Sequence, residues 1–270
     1  MLHITPFLTV YYSILAFVMG TVLASFLGCW GWRICNGESV RKGRSHCDEC
    51  GHVLGARDLI PVLSYLLSKG RCRYCGAKIS PLNFYGELCF GILFGVVTFL
   101  YGHPFQFEYV LVLFFFCILY LVTVTDIYDQ LIPDGAIITA IVVKVISEIP
   151  LGWRALLGVL IDGLAVSLPL LILVLIMEHI MKKEAMGGGD IKLLFVTGLY
   201  LGWARNILVI FFACIIGIVV ASIQQKKRMM EEGEFEEEPF YFPFGPSIAV
   251  SAVLMVFFGN PITDWYLSLF

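Results

Sequence analysis

Eight separate apolar runs, several close to the ~20 residues an α-helix needs to cross a bilayer, leave this chain few folds to choose from. They fall near 7–32, 84–101, 109–125, 135–149, 156–178, 191–204, 206–223 and 246–262. In lipid every backbone N–H and C=O must be satisfied internally, so each run is read as a helix. With 59% hydrophobic and 14% charged residues, a soluble globular domain is excluded. The fold class expected is an all-α polytopic membrane protein of about eight transmembrane helices. The run 7–32 is too long for a signal-peptide core and lacks a basic leader, so it is read as the first span. The fourth run is interrupted by Lys144, and the sixth is short and carries Lys192. Seven spans is therefore the alternative count.

Charge sets the expected orientation. Nine Lys/Arg lie in 33–83, Lys182, Lys183 and Lys192 flank a glycine stretch, and Lys226, Lys227 and Arg228 follow the seventh run. With eight spans all fifteen fall on one side, leaving only Lys144, Arg154 and Arg205 for the other. The positive-inside rule makes that side cytoplasmic and both termini external. The net charge of −3 gives no reason to expect nucleic acid as a partner. The expected partner surface is the lipid bilayer itself.

Four of the nine cysteines stand apart from the apolar runs. Cys47 and Cys50, then Cys72 and Cys75, form two CxxC pairs separated by 21 residues in the long polar segment. That spacing is typical of a four-cysteine zinc site. The glycine after each second cysteine, Gly51 and Gly76, allows a tight turn around the sulfur. A segment of this size has little core of its own, and metal binding can supply the missing stability. A cytoplasmic position argues against disulfides. Four protein ligands leave no position open for water, so a structural Zn2+ is expected rather than a catalytic one. His46 and His52 are read as solvated or outer neighbours. The stretch 57–66 between the pairs is read as an amphipathic segment lying on the membrane surface.

Two carboxylates sit where apolar runs meet the polar boundary. Asp126 directly follows seventeen uncharged residues, where a carboxylate is costly without a partner or a water-filled cavity. Asp190 closes the stretch Met186-Gly187-Gly188-Gly189-Asp190 and opens the sixth run. Three glycines permit positive φ and close approach of another backbone. Asp190 reads as a helix cap, a functional carboxylate, or both. Asp129 and Asp134 are read as turn or cap residues, Asp134 within Pro133-Asp134-Gly135. Lys192, one turn beyond Asp190, is expected to snorkel to the interface. Under the eight-span topology Asp126 and Asp190 share the cytoplasmic face.

The glycine loop with Asp190, the segment from Asp126 to Asp134, the paired CxxC knuckles and Pro243-Phe244-Gly245-Pro246 together resemble the type IV prepilin leader peptidases, bifunctional membrane aspartic proteases of the GxGD type. The resemblance runs from Ala24-Ser25-Phe26-Leu27 to the start of the eighth run. It implies that Asp126 and Asp190 are catalytic; Gly187, Gly188 and Gly189, with Lys192 beyond them, are read from the residues themselves as a substrate-side loop that a peptide backbone or the Asp126 segment can approach. It implies cleavage of prepilin or pseudopilin leaders at the bacterial cytoplasmic membrane. N-methylation of the new terminus with S-adenosylmethionine is implied as a second activity. Gly28 and Cys35 depart from the family pattern, where Asn and Pro are usual, in the region associated with methylation. Arg33, Glu38 and Asp58 are candidates there only by position, and the methyl-donor pocket is unknown.

The organisation expected is a first span, 1–32, a cytoplasmic zinc-binding segment, 33–83, and a peptidase domain, 84–270. Two carboxylates whose environments differ can activate one water, one taking its proton and the other protonating the carbonyl oxygen or leaving amine. Helix dipoles favour charge on Asp190, at a helix start, and disfavour it on Asp126, at a helix end. The rival reading is a non-enzymatic platform recruiting assembly partners through the zinc segment. A proton-relay transporter would need carboxylates at the bilayer midplane and an internal repeat, and neither is seen. Glu87 is read as an anchor or an arginine partner, and Asp162 has no assigned role. The acidic run 231–238 could attract basic leaders or simply be solvated. The substrate pathway and oligomeric state are open.

Overall fold

The computed structural model describes residues 6–39, 43–101, 107–182, 186–232 and 242–268. Arg41, Lys42, Lys183 and the 233–238 part of the acidic run lie outside them. The described chain is helical: α1 (Pro6–Cys35), α2 (Leu63–Leu67), α3 (Pro81–Tyr101), α4 (Phe107–Asp129), α5 (Asp134–Glu148), α6 (Trp153–Met181), α7 (Gly188–Leu201), α8 (Trp203–Glu232) and α9 (Gly245–Leu267). Apart from the five-residue α2, each helix occupies one of the expected apolar runs. Two isolated antiparallel bridges, His46 with Val53 and Arg71 with Lys78, are the only extended pairing among the described residues.

Six of these helices are long and apolar enough to cross a membrane: α1, α3, α4, α6, α8 and α9. The two that fall short, α5 with 15 residues and α7 with 14, fill the runs carrying Lys144 and Lys192. At ~1.5 Å per residue α7 spans roughly 21 Å, less than the ~30 Å hydrocarbon core. The reason is its surroundings. Eight of its residues are buried, and it packs against α5, α6, α8 and α9. A helix walled by neighbours need not reach lipid along its whole length.

The chain divides into two compact units, Met1–Val124 and Thr125–Phe270, with the boundary in the last turns of α4. In the first unit α1 packs closely on α3 because small residues meet at the crossing. A Cβ on Gly91 would lie 2.5 Å from the Thr21 methyl, and one on Gly20 would lie 2.9 Å from Phe94 Cβ. Tyr120 of α4 fills the neighbouring space. Its hydroxyl lies 2.6 Å from a Cβ built on Gly86 and 3.6 Å from one on Gly28.

In the second unit α7 is joined to its neighbours by polar contacts as well as packing. Asn206 of α8, fully buried, donates from Nδ2 to the Leu194 carbonyl at 2.9 Å. It also accepts from Thr197 Oγ1 at 2.7 Å. Gly163 and Gly198 let α6 approach, since a Cβ on Gly198 would lie 2.8 Å from the Asp162 carbonyl. Asp162, unassigned from sequence, has a structural position. Its Oδ1 accepts the N–H of Trp203, the first residue of α8, at 3.4 Å.

Candidate active site

Asp126 sits in the last turn of α4 and is 5% exposed. The helix closes when the Gln130 N–H donates to the Asp126 carbonyl at 3.0 Å, with Gln130 in the left-handed region at φ +50°. The chain then runs through Leu131 and Ile132 to Pro133, whose extended backbone caps the start of α5. A contact that the sequence argument did not anticipate holds the Asp126 side chain. The Gly245 N–H, at the first residue of α9, donates to Asp126 Oδ2 at 2.8 Å. A Cβ on Gly245 would lie 2.8 Å from the same oxygen, so only glycine fits. The amino end of α9 thus favours charge on Asp126, opposing the effect of the α4 carboxyl end on which the dipole argument relied. Pro246, second in α9, was the available signal, since proline is enriched at the first turn of helices.

Asp190 lies at the third position of α7, not at its cap. Gly187 occupies the cap position, with no side-chain capping bond. The Asp190 carboxylate is half-buried and turned back towards Gly187, where a Cβ would come within 3.2 Å of Oδ2. Among the described residues none donates a hydrogen bond to it. None of Gly187, Gly188 and Gly189 has a positive φ. These glycines therefore serve close approach rather than backbone freedom. A Cβ on Gly189 would lie 3.0 Å from the Ile132 side chain, so the link after Asp126 rests directly on the start of α7. A Cβ on Gly188 would meet no described residue within 4 Å.

A second contact ties the same two segments together. Lys192 Nζ donates to Asp134 Oδ1 at 2.7 Å, both side chains being exposed. Lys192 is thus paired rather than snorkelling alone, and Asp134 opens α5 with its carboxylate turned to α7. Asp129 is exposed. Asp126 and Asp190 are brought within electrostatic reach of each other, both inside the unit Thr125–Phe270.

The cysteine segment forms two matching knuckles. In the first, the Cys47 N–H donates to the His52 carbonyl at 3.0 Å and Gly51 N–H to the Cys47 carbonyl at 2.8 Å. In the second, Cys72 pairs with Ala77 at 2.8 Å and Gly76 with Cys72 at 3.0 Å. Gly51 and Gly76 sit at φ +66° and +76°, the turn that glycine makes without strain. The four sulfurs lie within 4.8 Å of one another and could hold a metal ion. Tetrahedral zinc–thiolate bonds of ~2.3 Å imply S···S separations of about 3.8 Å, and Cys47 Sγ to Cys75 Sγ is 3.9 Å. Backbone N–H groups of Cys75 and Tyr74 aim at the Cys72 sulfur and pull its thiol down to about 7, whereas, against the pull of the Ala77 N–H, burial and the neighbouring sulfurs push the Cys75 thiol up to about 12 in the absence of a metal.

Of the residues placed near the cysteines by sequence, Asp58 is engaged structurally. Its carboxylate accepts from Gly55 N–H at 3.1 Å and Tyr74 Oη at 3.2 Å, and Arg73 Nε lies 3.4 Å away. Arg33 is buried, with Nη2 3.5 Å from the Gly43 carbonyl. Glu38 is exposed. Glu87 accepts the Val62 N–H at 2.7 Å rather than an arginine.

Residues 18–101 match the family model described as the bacterial peptidase A24 N-terminal domain, and residues 113–222 match that of the type IV leader peptidase family. The chain is 30% identical over 257 residues to the prepilin leader peptidase/N-methyltransferase of Bacillus subtilis (strain 168), covering 94% of this chain and 97% of that protein. The chain belongs to the type IV leader peptidase family. The enzyme of the same name from Stutzerimonas stutzeri is 30% identical over 225 residues, 83% of this chain and 75% of that one. That from Myxococcus xanthus is 29% identical over 209 residues, 77% and 62% respectively. No solved structure matches the chain. Along the chain the four cysteines fall in the first matched segment, and Asp126 and Asp190 fall in the second.

Proposed function

We propose that this protein is an aspartic endopeptidase that removes the leader of prepilin or pseudopilin substrates at the cytoplasmic face of the bacterial inner membrane. The observation that carries the reading is a pair of carboxylates in one unit, on segments joined by the Ile132–Gly189 and Asp134–Lys192 contacts: Asp126 accepts the Gly245 N–H and, among the described residues, Asp190 has no donor. In this reading the pair shares one proton and titrates as a unit. The ionised member takes a proton from water as its oxygen attacks the scissile carbonyl carbon. The protonated member then gives its proton to the leaving nitrogen as the C–N bond breaks. Gly188, where a Cβ would meet no described residue within 4 Å, lets a peptide backbone approach Asp190.

The organisation that accompanies this reading is a first span, 1–32, a zinc-binding segment, 33–83, and a peptidase portion, 84–270, whose reacting residues lie beyond Val124. Cys47, Cys50, Cys72 and Cys75 hold a structural Zn2+, supported by the sulfur spacing. N-methylation with S-adenosylmethionine is supported by the relatives' names. Asp58 and Arg33 are occupied by neighbours, so no donor pocket is assigned and no methyl-transfer step is derived.

The test is a cleavage assay in membranes bearing Asp126→Ala or Asp190→Ala. Each should lose at least about a hundredfold in cleavage while retaining wild-type zinc content and thermal stability. If both variants cleave normally, the platform reading replaces this one.

A further inference from the structure

The polar segment carries an apolar face that the other described residues leave uncovered. Leu63, Leu66 and Leu67 of α2 are 55%, 56% and 70% exposed, and Ile60, Ile79 and Leu82 extend the same stretch. The level of α2 is fixed by α3. Tyr65 stacks on Phe84 with centroids 4.8 Å apart, and the Val62 N–H donates to Glu87 Oε2 at 2.7 Å. Both partners lie in the first two turns of α3, a helix long and apolar enough to span. Val62 itself is held at φ +61°, a conformation that β-branched residues rarely adopt. The leucines are thus held beside the point where α3 passes into lipid.

A second observation concerns charge. Arg71 and Lys78 are paired directly across an antiparallel bridge, an arrangement of like charges that is unfavourable by itself. Both are exposed, as is Lys69 two residues after Leu67. No carboxylate among the described residues forms an ion pair with any of the three. An apolar face edged by uncompensated cations is the pattern of an interfacial anchor for anionic lipid.

We propose that the stretch 60–82 is a membrane-surface platform. The α2 leucines are buried among acyl chains, and Lys69, Arg71 and Lys78 hold the phosphates of anionic lipids, fixing the knuckle of Cys72 and Cys75 at the headgroup layer. The proposal is independent of the peptidase reading.

The test uses the full-length, zinc-loaded protein in nanodiscs of brominated phosphatidylcholine and phosphatidylglycerol. Tryptophan is introduced by Leu67→Trp, or by Glu49→Trp on the exposed first knuckle, and read as the difference from wild type. The Leu67→Trp emission should be blue-shifted and quenched severalfold by bromine, and the Glu49→Trp emission should be neither. Unshifted, unquenched Leu67→Trp emission would overturn the proposal. Emission that is blue-shifted but unquenched would overturn it too, since protein rather than lipid would then cover the face. In native mass spectrometry, the triple variant K69Q/R71Q/K78Q should lose preference for phosphatidylglycerol over phosphatidylcholine by about fivefold per charge. An unchanged preference would overturn the headgroup assignment.

Discussion

Gly245 shows how much of this site depends on a missing side chain. Its N–H holds Asp126, and its lack of a Cβ leaves room for the carboxylate. Gly245→Ala should displace that carboxylate and lower kcat/KM for leader cleavage by roughly tenfold to a hundredfold. Gly135→Ala, where a Cβ meets nothing within 4 Å, should leave it near wild type; equal rates for the two variants would contradict this account of the clamp. Lys192 and Asp134 call for the opposite expectation. Their pair is short but exposed, and such pairs contribute only ~0.2–1 kcal/mol. A double-mutant cycle with Lys192→Gln and Asp134→Asn should therefore return a coupling in that range by thermal or denaturant unfolding. At this scale the sequence marked Asp126 and Asp190 through their position beside apolar runs. It could not reveal that Gly245 reaches Asp126 across 119 positions, because tertiary hydrogen bonds leave no local pattern. Of the two roles it offered the glycines, positive φ and close approach, their ordinary φ values leave the second.

Helix α7 was among the least obvious elements in the sequence and is the most enclosed in the second unit. A window tuned to ~20 apolar residues penalises a 14-residue helix whose neighbours do the lipid-facing work. Its attachment to α8 rests on Asn206, fully buried and bonded to Leu194 and Thr197. Asn206→Leu would strip those partners, and a buried group left unsatisfied costs ~1–3 kcal/mol. A lower Tm is expected in detergent, and an unchanged Tm would show that the staple contributes little. The two knuckles were far more legible. Cysteine spacing and the following glycines encode the turn directly, and Gly51 and Gly76 adopt it. Chelation of bound metal should speed amide exchange across residues 45–79, because the segment has little core besides its metal. Exchange that is indifferent to chelation would contradict a structural metal.

For the whole molecule, hydropathy was enough to give an all-helical membrane protein, and the apolar runs became helices, most with small shifts at their ends, although α8 runs on past 223 to Glu232 through the basic cluster that was expected to follow the span. The number that satisfy span length by themselves is six. Hydropathy measures each run in isolation, whereas α5 and α7 rely on neighbours. The joining of the two carboxylate-bearing segments was less accessible, since charge patterning gives only the side of the membrane on which a residue is expected. The contacts that join their segments, Ile132 on Gly189 and Lys192 on Asp134, belong to the folded unit. The central claim is that Asp126 and Asp190 act together on one water. Prepilin cleavage rates for Asp126→Asn, Asp190→Asn and the double variant test it most directly. The account predicts that the double variant is no slower than the slower single one, because residues acting as a unit are strongly non-additive. Wild-type cleavage by either single variant, or losses that multiply in the double, would contradict it.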